Sequence, residues 1–218
     1  MVRTSVALSL RQPGESMLVR RLEPGEPQAE GLIPLIGDLM TSAAVKFGDL
    51  DRIAVCIGPG GFSGIRSGVA AARGIGLAAT VPVVGATSFR IMAAAFEKQS
   101  DTPAAYGLAA PAGVSAVFCQ ILARGGRPLT EIVSLPQSET AAFFDGHAEV
   151  LAGPAARALF EGGYISLPVR EAALMPDAEI LAEIAPRLDP ARDPPSPYYV
   201  RPADARPQTG HVIPRSGE

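Results

Sequence analysis

The sequence predicts an α/β protein, and three observations carry that prediction. Short apolar runs of strand type alternate with stretches of helical periodicity through residues 53–98, the βαβ rhythm whose parallel strands need a crossover helix. Of the 218 residues 47% are hydrophobic and only 19% charged, enough apolar surface to bury one large domain or two small ones and too much for a disordered chain. Further runs of strand type between 104 and 135 follow one another without helices, which adds a second, mixed lobe.

Residues 4–10 and 17–22 are β-type runs on either side of the turn Arg11-Gln12-Pro13-Gly14-Glu15, an opening hairpin. Pro24-Gly25 breaks the chain before 28–40, where Leu32, Leu35, Ile36 and Leu39 recur at helical spacing and mark one apolar face. A strand at 53–57 runs into a glycine-rich turn and a small-residue helix to about residue 79. Another buried strand follows at 81–85, with Thr87 or Ser88 placed to cap a helix to about residue 98. Strands are expected at 104–109, 114–122, 129–135 and 148–151, and helices at 154–160 and 176–188. Asp177 and Glu179 suit the first turn of the last helix. From Asp189 prolines dominate, which predicts an extended strap followed by a disordered tail.

A net charge of -3 and a pI near 5.5 provide no long-range field for phosphates, so broad nucleic-acid or anionic-membrane binding is excluded as the main activity. Cys56 and Cys119 each lie inside an apolar strand-type run and read as buried, reduced thiols. The start has no apolar signal core and no window reaches about 18 unbroken apolar residues, so the expected compartment is the cytoplasm and no membrane contact is expected.

The most informative feature is the turn. Gly58, Gly60, Gly61 and Gly64 relax the φ limits and leave backbone N–H groups at a helix N-terminus, with Ser63 beside them, a geometry that can hold an anion or a nucleotide phosphate. No Lys-Ser/Thr pair follows, so it is not a Walker loop, and no acidic residue stands about 20 positions on at a strand end, so it is not the dinucleotide fingerprint. The next helix repeats Gly64, Gly68, Ala72 and Gly76 at steps of four. Each helical glycine costs about 1 kcal/mol relative to alanine, so the stripe implies close approach of another backbone, either this chain's own sheet or a second polypeptide.

Catalytic groups are scarce. His147 and His211 are the only histidines, which leaves no paired-histidine or paired-cysteine metal site at ordinary spacing. Ser115, Ser134 and Ser138 lack a nucleophile elbow, and Asp49 and Asp51 flank a turn where solvated carboxylates are the rule. No catalytic residue and no metal ligand is expected.

The run Ile57-Gly58-Pro59-Gly60-Gly61-Phe62-Ser63-Gly64-Ile65-Arg66-Ser67-Gly68, continued by Ala71-Ala72-Arg73-Gly74-Ile75-Gly76-Leu77-Ala78, resembles the TsaB (YeaZ) family. The likeness extends through Pro82-Val83-Val84-Gly85-Ala86-Thr87-Ser88-Phe89, back to Ser5-Val6-Ala7-Leu8 and forward to Pro197-Tyr198-Tyr199-Val200-Arg201. It implies an actin-like ATPase (ASKHA, RNase H-like) fold with an N-terminal lobe over 1–99, a C-terminal lobe over 100–201 whose last strap returns to the other lobe, and a tail over 202–218. It implies a non-catalytic subunit that pairs with TsaD, with TsaE in the assembled complex, in forming threonylcarbamoyladenosine beside the tRNA anticodon. The implied contact is a bundle of helices from both proteins. The matching positions here are Leu32, Leu35, Ile36 and Leu39, with Gly64, Arg66, Gly68, Val69, Ala72, Arg73 and Gly76 on the second helix.

An exposed helix stripe predicts a homodimer when the partner is missing, and the resemblance implies no resident cofactor, with ATP or ADP only at a composite interface, and tRNA contact only through the partner. Direct tRNA binding rests on Arg201, Arg206 and Arg215 alone. An alternative within the fold is an ATP-binding or peptidase-like enzyme that uses the glycine-rich turn. TsaD-type proteins carry a metal-binding histidine pair after the next strand, and those places fall at Ser88 and Met92, neither of which replaces imidazole. Two departures stand out. The family's first strand, central in its sheet, has no counterpart before Ser5, which should leave unpaired edges and a gap that a neighbour must fill; either this start is internal to a longer natural protein or the lobe is rearranged. The second is Ala110-Pro111-Ala112-Gly113, which stands where the family has an aspartate-alanine-arginine turn.

Overall fold

The computed structural model describes residues 4–9, 17–23, 30–99, 101–170 and 174–200. The first half holds two separate two-stranded sheets. β1 (Ser5–Leu8) and β2 (Leu18–Arg21) form the antiparallel hairpin expected from the sequence, with Ser5 opposite Arg21 and Leu8 opposite Leu18. β3 (Ile53–Gly58) and β4 (Val83–Thr87) pair in parallel. The Pro13-Gly14 and Pro24-Gly25 turns lie outside the described residues.

α1 (Leu32–Ala43) packs on the hairpin, closing a core of Leu8, Leu39 and Met40. α2 (Phe62–Ala79) connects β3 to β4 and lays Ile65, Val69 and Ala72 on Val55, Ile53, Ile57 and Val83. Its end is set by Thr80, which is left-handed at φ 58 and returns its N–H to the Gly76 carbonyl. α3 (Ser88–Glu97) starts at Thr87, whose hydroxyl accepts the Arg90 N–H at 3.1 Å. The backbones of α2 and β4 come so close that a Cβ on Gly76 would stand 2.2 Å from Val83 Cγ2 and 2.9 Å from the Val81 carbonyl oxygen.

The second half is built on one five-stranded sheet. β5 (Ala105–Pro111) pairs antiparallel with β6 (Ala116–Ala123) and parallel with β9 (Val150–Ala152), while β6 also carries β7 (Arg127–Pro128) and β8 (Val133–Pro136). The strand expected from residue 114 begins two residues later, because Gly113 at φ 119 with Val114 and Ser115 makes the hairpin tip. The run 129–135 splits, since the N–H groups of Leu129 and Thr130 both turn back to the Ile121 carbonyl. One helix had no periodic signal in the sequence, α4 (Thr140–Phe144), which is only five residues long and ends before Gly146 at φ 72. α5 (Ala156–Glu161) follows.

α6 (Ala178–Ile184) returns to the first half and joins Leu181, together with Leu188, to Val84, Ala86 and Ile91. It is shorter than the expected 176–188. Asp177 caps its start through the Glu179 N–H, and Pro186, which has no N–H to donate, sits in the tighter turn that follows Ile184. Cys119 is fully buried and Cys56 half-buried, and both are free thiols.

Gly76→Ala is expected to cost about 1–3 kcal/mol through overpacking, whereas Gly74→Ala in the same helix, where a Cβ meets nothing within 4 Å, should stabilise by about 0.5–1 kcal/mol. Urea denaturation of the two variants measures both. Burial also pushes the Cys119 thiol from 9.0 up to about 12 and raises the Tyr106 phenol above its ordinary 10.0. Both shifts favour the neutral form in the folded chain. Stability is therefore complete below pH 9 and falls as pH rises from 9 through 12, by at most about 1.4 kcal/mol per pH unit for each group. Denaturation midpoints above pH 9 check this, and Cys119→Ala should make the decline shallower.

Candidate partner-docking helices and glycine-rich turn

The turn between β3 and α2 is held from three sides. Gly58 takes φ 103, the Ser88 hydroxyl donates to the Pro59 carbonyl at 2.8 Å, and Ile65 closes beneath. The third side is the strap at 189–199. The Tyr198 N–H donates to the Ile57 carbonyl at 2.8 Å, and the Gly85 N–H donates to the Asp193 carbonyl at 2.8 Å. A Cβ on Gly58 would stand 3.1 Å from the Tyr198 carbonyl oxygen, and one on Gly85 2.7 Å from the Pro194 carbonyl oxygen. These two glycines thus admit this chain's own backbone. Gly60, Gly61 and Ser63 remain exposed at the tip.

The strap closes a cleft of about 380 Å³ at the carboxyl ends of β3 and β4, walled by Ile57, Thr87, Arg90, Asp193 and Tyr198 among others. This is the place where open α/β sheets bind ligands. Gly60, Gly61 and Ser63 do not line it. Arg90 meets Asp193 at 2.5 Å, and the second Asp193 oxygen accepts the Asp189 N–H at 2.9 Å. Arg192 also lines the cleft and meets Asp189 only at 3.7 Å, with its side chain 87% exposed, so one arginine of the lining is neutralised within it and the other faces outward. Sequence reasoning did not find Arg90 and Asp193, which are 103 positions apart; the only signal was the proline-rich composition that makes 189–199 an extended segment.

On α2 the residues expected to form one docking stripe divide. Val69, Ala72 and Gly76 are buried against β3 and β4, so they belong to this chain's core and not to a partner face. A helix four residues per step drifts around its axis, and the buried line Ile65, Val69, Ala72, Gly76 takes the sheet-facing side. Gly64 and Gly68 flank that line. A Cβ meets nothing within 4 Å at Gly64 and only Val55 Cγ2, at 3.7 Å, at Gly68. Arg73 is exposed, as is Arg66, but Arg66 is engaged within the chain: it stacks 3.6 Å over the Phe62 ring and its Nε donates to the Tyr199 hydroxyl at 2.9 Å.

On α1 the same correction applies to Leu39, which is 3% exposed in the hairpin core. Leu32, Leu35 and Ile36 are half-buried. The outward apolar residues are two that the sequence reading passed over, Ile33 at 56% and Leu77 of α2 at 85% exposure. Their periodicity matches no core line, and that mismatch is the signal that could have marked them.

A family model described as TsaD, tRNA N6-adenosine threonylcarbamoyltransferase, matches residues 26–174. A crystal structure from Pseudomonas aeruginosa, described as similar to peptidase YEAZ, superposes with a TM-score of 0.73 at 25% identity, covering 91% of this chain and 94% of that one. The chain belongs to the TsaD family, on its TsaB (YeaZ) side. The Escherichia coli K12 protein TsaB is 32% identical over 62 residues, 28% of this chain and 27% of that protein. The threonylcarbamoyltransferase of Ruegeria sp. TM1040 is 31% identical over 141 residues, 62% of this chain and 38% of that enzyme. The matched stretches thus span between about a quarter and two fifths of these curated relatives.

Membership of a TsaD-type family raises the question of a metal. Ser88 and Met92 lie one turn apart on α3; the Ser88 hydroxyl is committed to Pro59, and Met92 is buried with Phe89 and Phe96. These two residues do not fit a metal centre, and among the described residues no group of three His, Cys, Asp or Glu could share an ion. His147 is exposed, while His211 lies outside the described residues together with Arg201, Arg206 and Arg215. No described helix is long and apolar enough to cross a membrane.

Gly85→Ala is expected to lift the strap, because its Cβ would sit 2.7 Å from the Pro194 carbonyl oxygen and 2.6 Å from Ile57 Cγ2. Limited proteolysis read by mass spectrometry should show cleavage within 189–199 accelerated about tenfold or more, the equivalent of 1.4 kcal/mol of local opening.

Proposed function

We propose that this chain is a non-catalytic docking subunit for a TsaD homologue in threonylcarbamoyladenosine formation on tRNA, with TsaE joining the assembled complex. The observation that carries the reading is the outward surface of two helices, where Leu77 of α2 is 85% and Ile33 of α1 56% exposed, while Gly64 and Gly68 stay open on the other flank of α2. Exposed large aliphatics on one side of a helix suit docking of another apolar surface, and a flank of glycines on the other suits helix-against-helix contact, where small residues let backbones approach. The printed names of the relatives, a threonylcarbamoyladenosine biosynthesis protein and a threonylcarbamoyltransferase, support the pathway. The same faces account for a homodimer when the partner is missing.

The absence of a role in catalysis is part of the proposal. Arg90 and Asp193 neutralise each other in the cleft, Arg192 at its rim is largely exposed, and a Cβ-free Gly58 serves strap packing, which supports ATP or ADP binding only at a composite interface with the partner. Transfer RNA is then reached through TsaD, in the cytoplasm.

Leu77→Asp and Gly64→Trp are expected to weaken co-elution with a purified TsaD homologue at least tenfold, about 1.4 kcal/mol or more, while leaving the melting midpoint unchanged. Undiminished co-elution of both variants would remove the docking faces from the reading. Tight ATP binding by the isolated chain in calorimetry would favour an enzyme instead.

A further inference from the structure

The outward stripe of α2 carries two cations that the chain itself leaves uncompensated. At about 100° per residue, Phe62, Arg66, Ala70, Arg73 and Leu77 fall within about 80° of the helix circumference, and all five are exposed. The buried line Ile65, Val69, Ala72 and Gly76 runs between this stripe and the flank of Gly64 and Gly68. α2 contains no Asp or Glu, and among the described residues neither Arg66 nor Arg73 meets a carboxylate. Arg66 is held in place from within the chain. Its guanidinium lies 3.6 Å over the Phe62 ring and 5.9 Å from the Tyr199 ring, and only its Nε is engaged, by the Tyr199 hydroxyl at 2.9 Å. The two rings, 5.4 Å apart and both exposed, therefore fix the arginine while its Nη groups stay available to another acceptor.

Resting on the docking reading above, we propose that this stripe receives an acidic helix of the partner polypeptide, with two carboxylates seven residues apart on Arg66 and Arg73 and apolar side chains against Phe62 and Leu77. Arg66 and Arg73 stand two turns apart, about 10.5 Å along the axis and on nearly the same side. Carboxylates at the same spacing on a helix packed at a shallow angle face them in register. Ala70 lies between the arginines and is small enough to let the second helix come close. An arginine fork takes a carboxylate through two parallel N–H···O bonds, and the stacked Arg66 has given up rotamer freedom before the partner arrives, which lowers the entropy cost of binding. Arginine and aromatic side chains are also the residues that dominate contact energies between proteins. A nucleic-acid backbone could meet the two cations as well, but it gains nothing from Leu77 and is opposed by the net charge of -3.

The test is calorimetry of the full chain with a purified TsaD homologue at about 0.1 and about 1 M salt, between which the screening length falls from about 10 to about 3 Å. Arg73→Glu, at an exposed position with no ion pair to lose, is expected to weaken binding at least about tenfold at the lower salt and no more than about threefold at the higher, with an unchanged melting midpoint. Arg66→Lys keeps the charge without the fork and should weaken binding about fivefold at the lower salt. An affinity that Arg73→Glu leaves unchanged or raises overturns the proposal. An equal loss at both salts overturns it too, because the contact would then be steric. If the chain without its partner binds tRNA and Arg73→Glu abolishes that binding, the arginines belong to RNA and the acidic helix is excluded. Weakening by Leu77→Asp without weakening by Arg73→Glu removes the acidic helix and leaves the docking reading standing, whereas no binding by any form of the chain removes both.

Discussion

Close backbone approach around the β3–β4 pair governs the shape of the first half. Gly76 lets α2 sit on Val83, and Gly85 lets the strap cross β4 at hydrogen-bond distance from Asp193. Because both approaches depend on a missing Cβ, neither neighbour can be shifted by a few tenths of an ångström without a clash. The position of α2 then fixes which of its residues face outward, and the position of the strap fixes what the cleft beyond β3 contains. Packing inside the chain thus decides the surface offered to others.

The alternation of β3, α2, β4 and α3 was legible because each element announces itself locally. Ile53 to Ile57 is apolar throughout, Thr87 is a good N-cap, and glycine clusters punctuate the ends. The sheet of the second half was legible as a succession of strands, but its edges were not. The Gly113 tip displaced the start of β6, and the double use of the Ile121 carbonyl split the next run, since register depends on partners distant in sequence. α4 escaped notice because a five-residue helix is too short for a 3.6-residue period to show.

Part of the stripe read as a docking face on α2 turns to this chain's own core, since Val69, Ala72 and Gly76 are buried against β3 and β4. Steps of four place Gly64, Gly68, Ala72 and Gly76 in one line on paper, yet the line winds around the axis and crosses from open flank to core. Sequence alone left two readings of the glycines, own sheet or foreign helix: Gly76 serves the sheet, while Gly64 and Gly68 stay open. Arg66 shows the same limit. It looks like a free cation until Tyr199, 133 positions later, supplies the hydroxyl and ring that occupy it.

What separates a docking subunit from an enzyme of the same fold is where the polar groups end up. A phosphate site at the end of β3 would need unopposed donors or cations, and of the two arginines that line the cleft Arg90 is matched by Asp193 from the strap, while Arg192 meets Asp189 at 3.7 Å. The Ser88 hydroxyl at the start of α3 is likewise satisfied by Pro59. Polar groups that are already paired within the chain contribute to its own stability and have little left to offer a substrate, because a ligand would have to replace the bonds it breaks. Among the described residues the open surface of this half lies elsewhere, on the helix flanks, where a Cβ at Gly64 would meet nothing within 4 Å and Leu77 is 85% exposed. A surface of this kind suits another polypeptide better than a small molecule, because it offers apolar area and close backbone approach rather than unpaired polar groups.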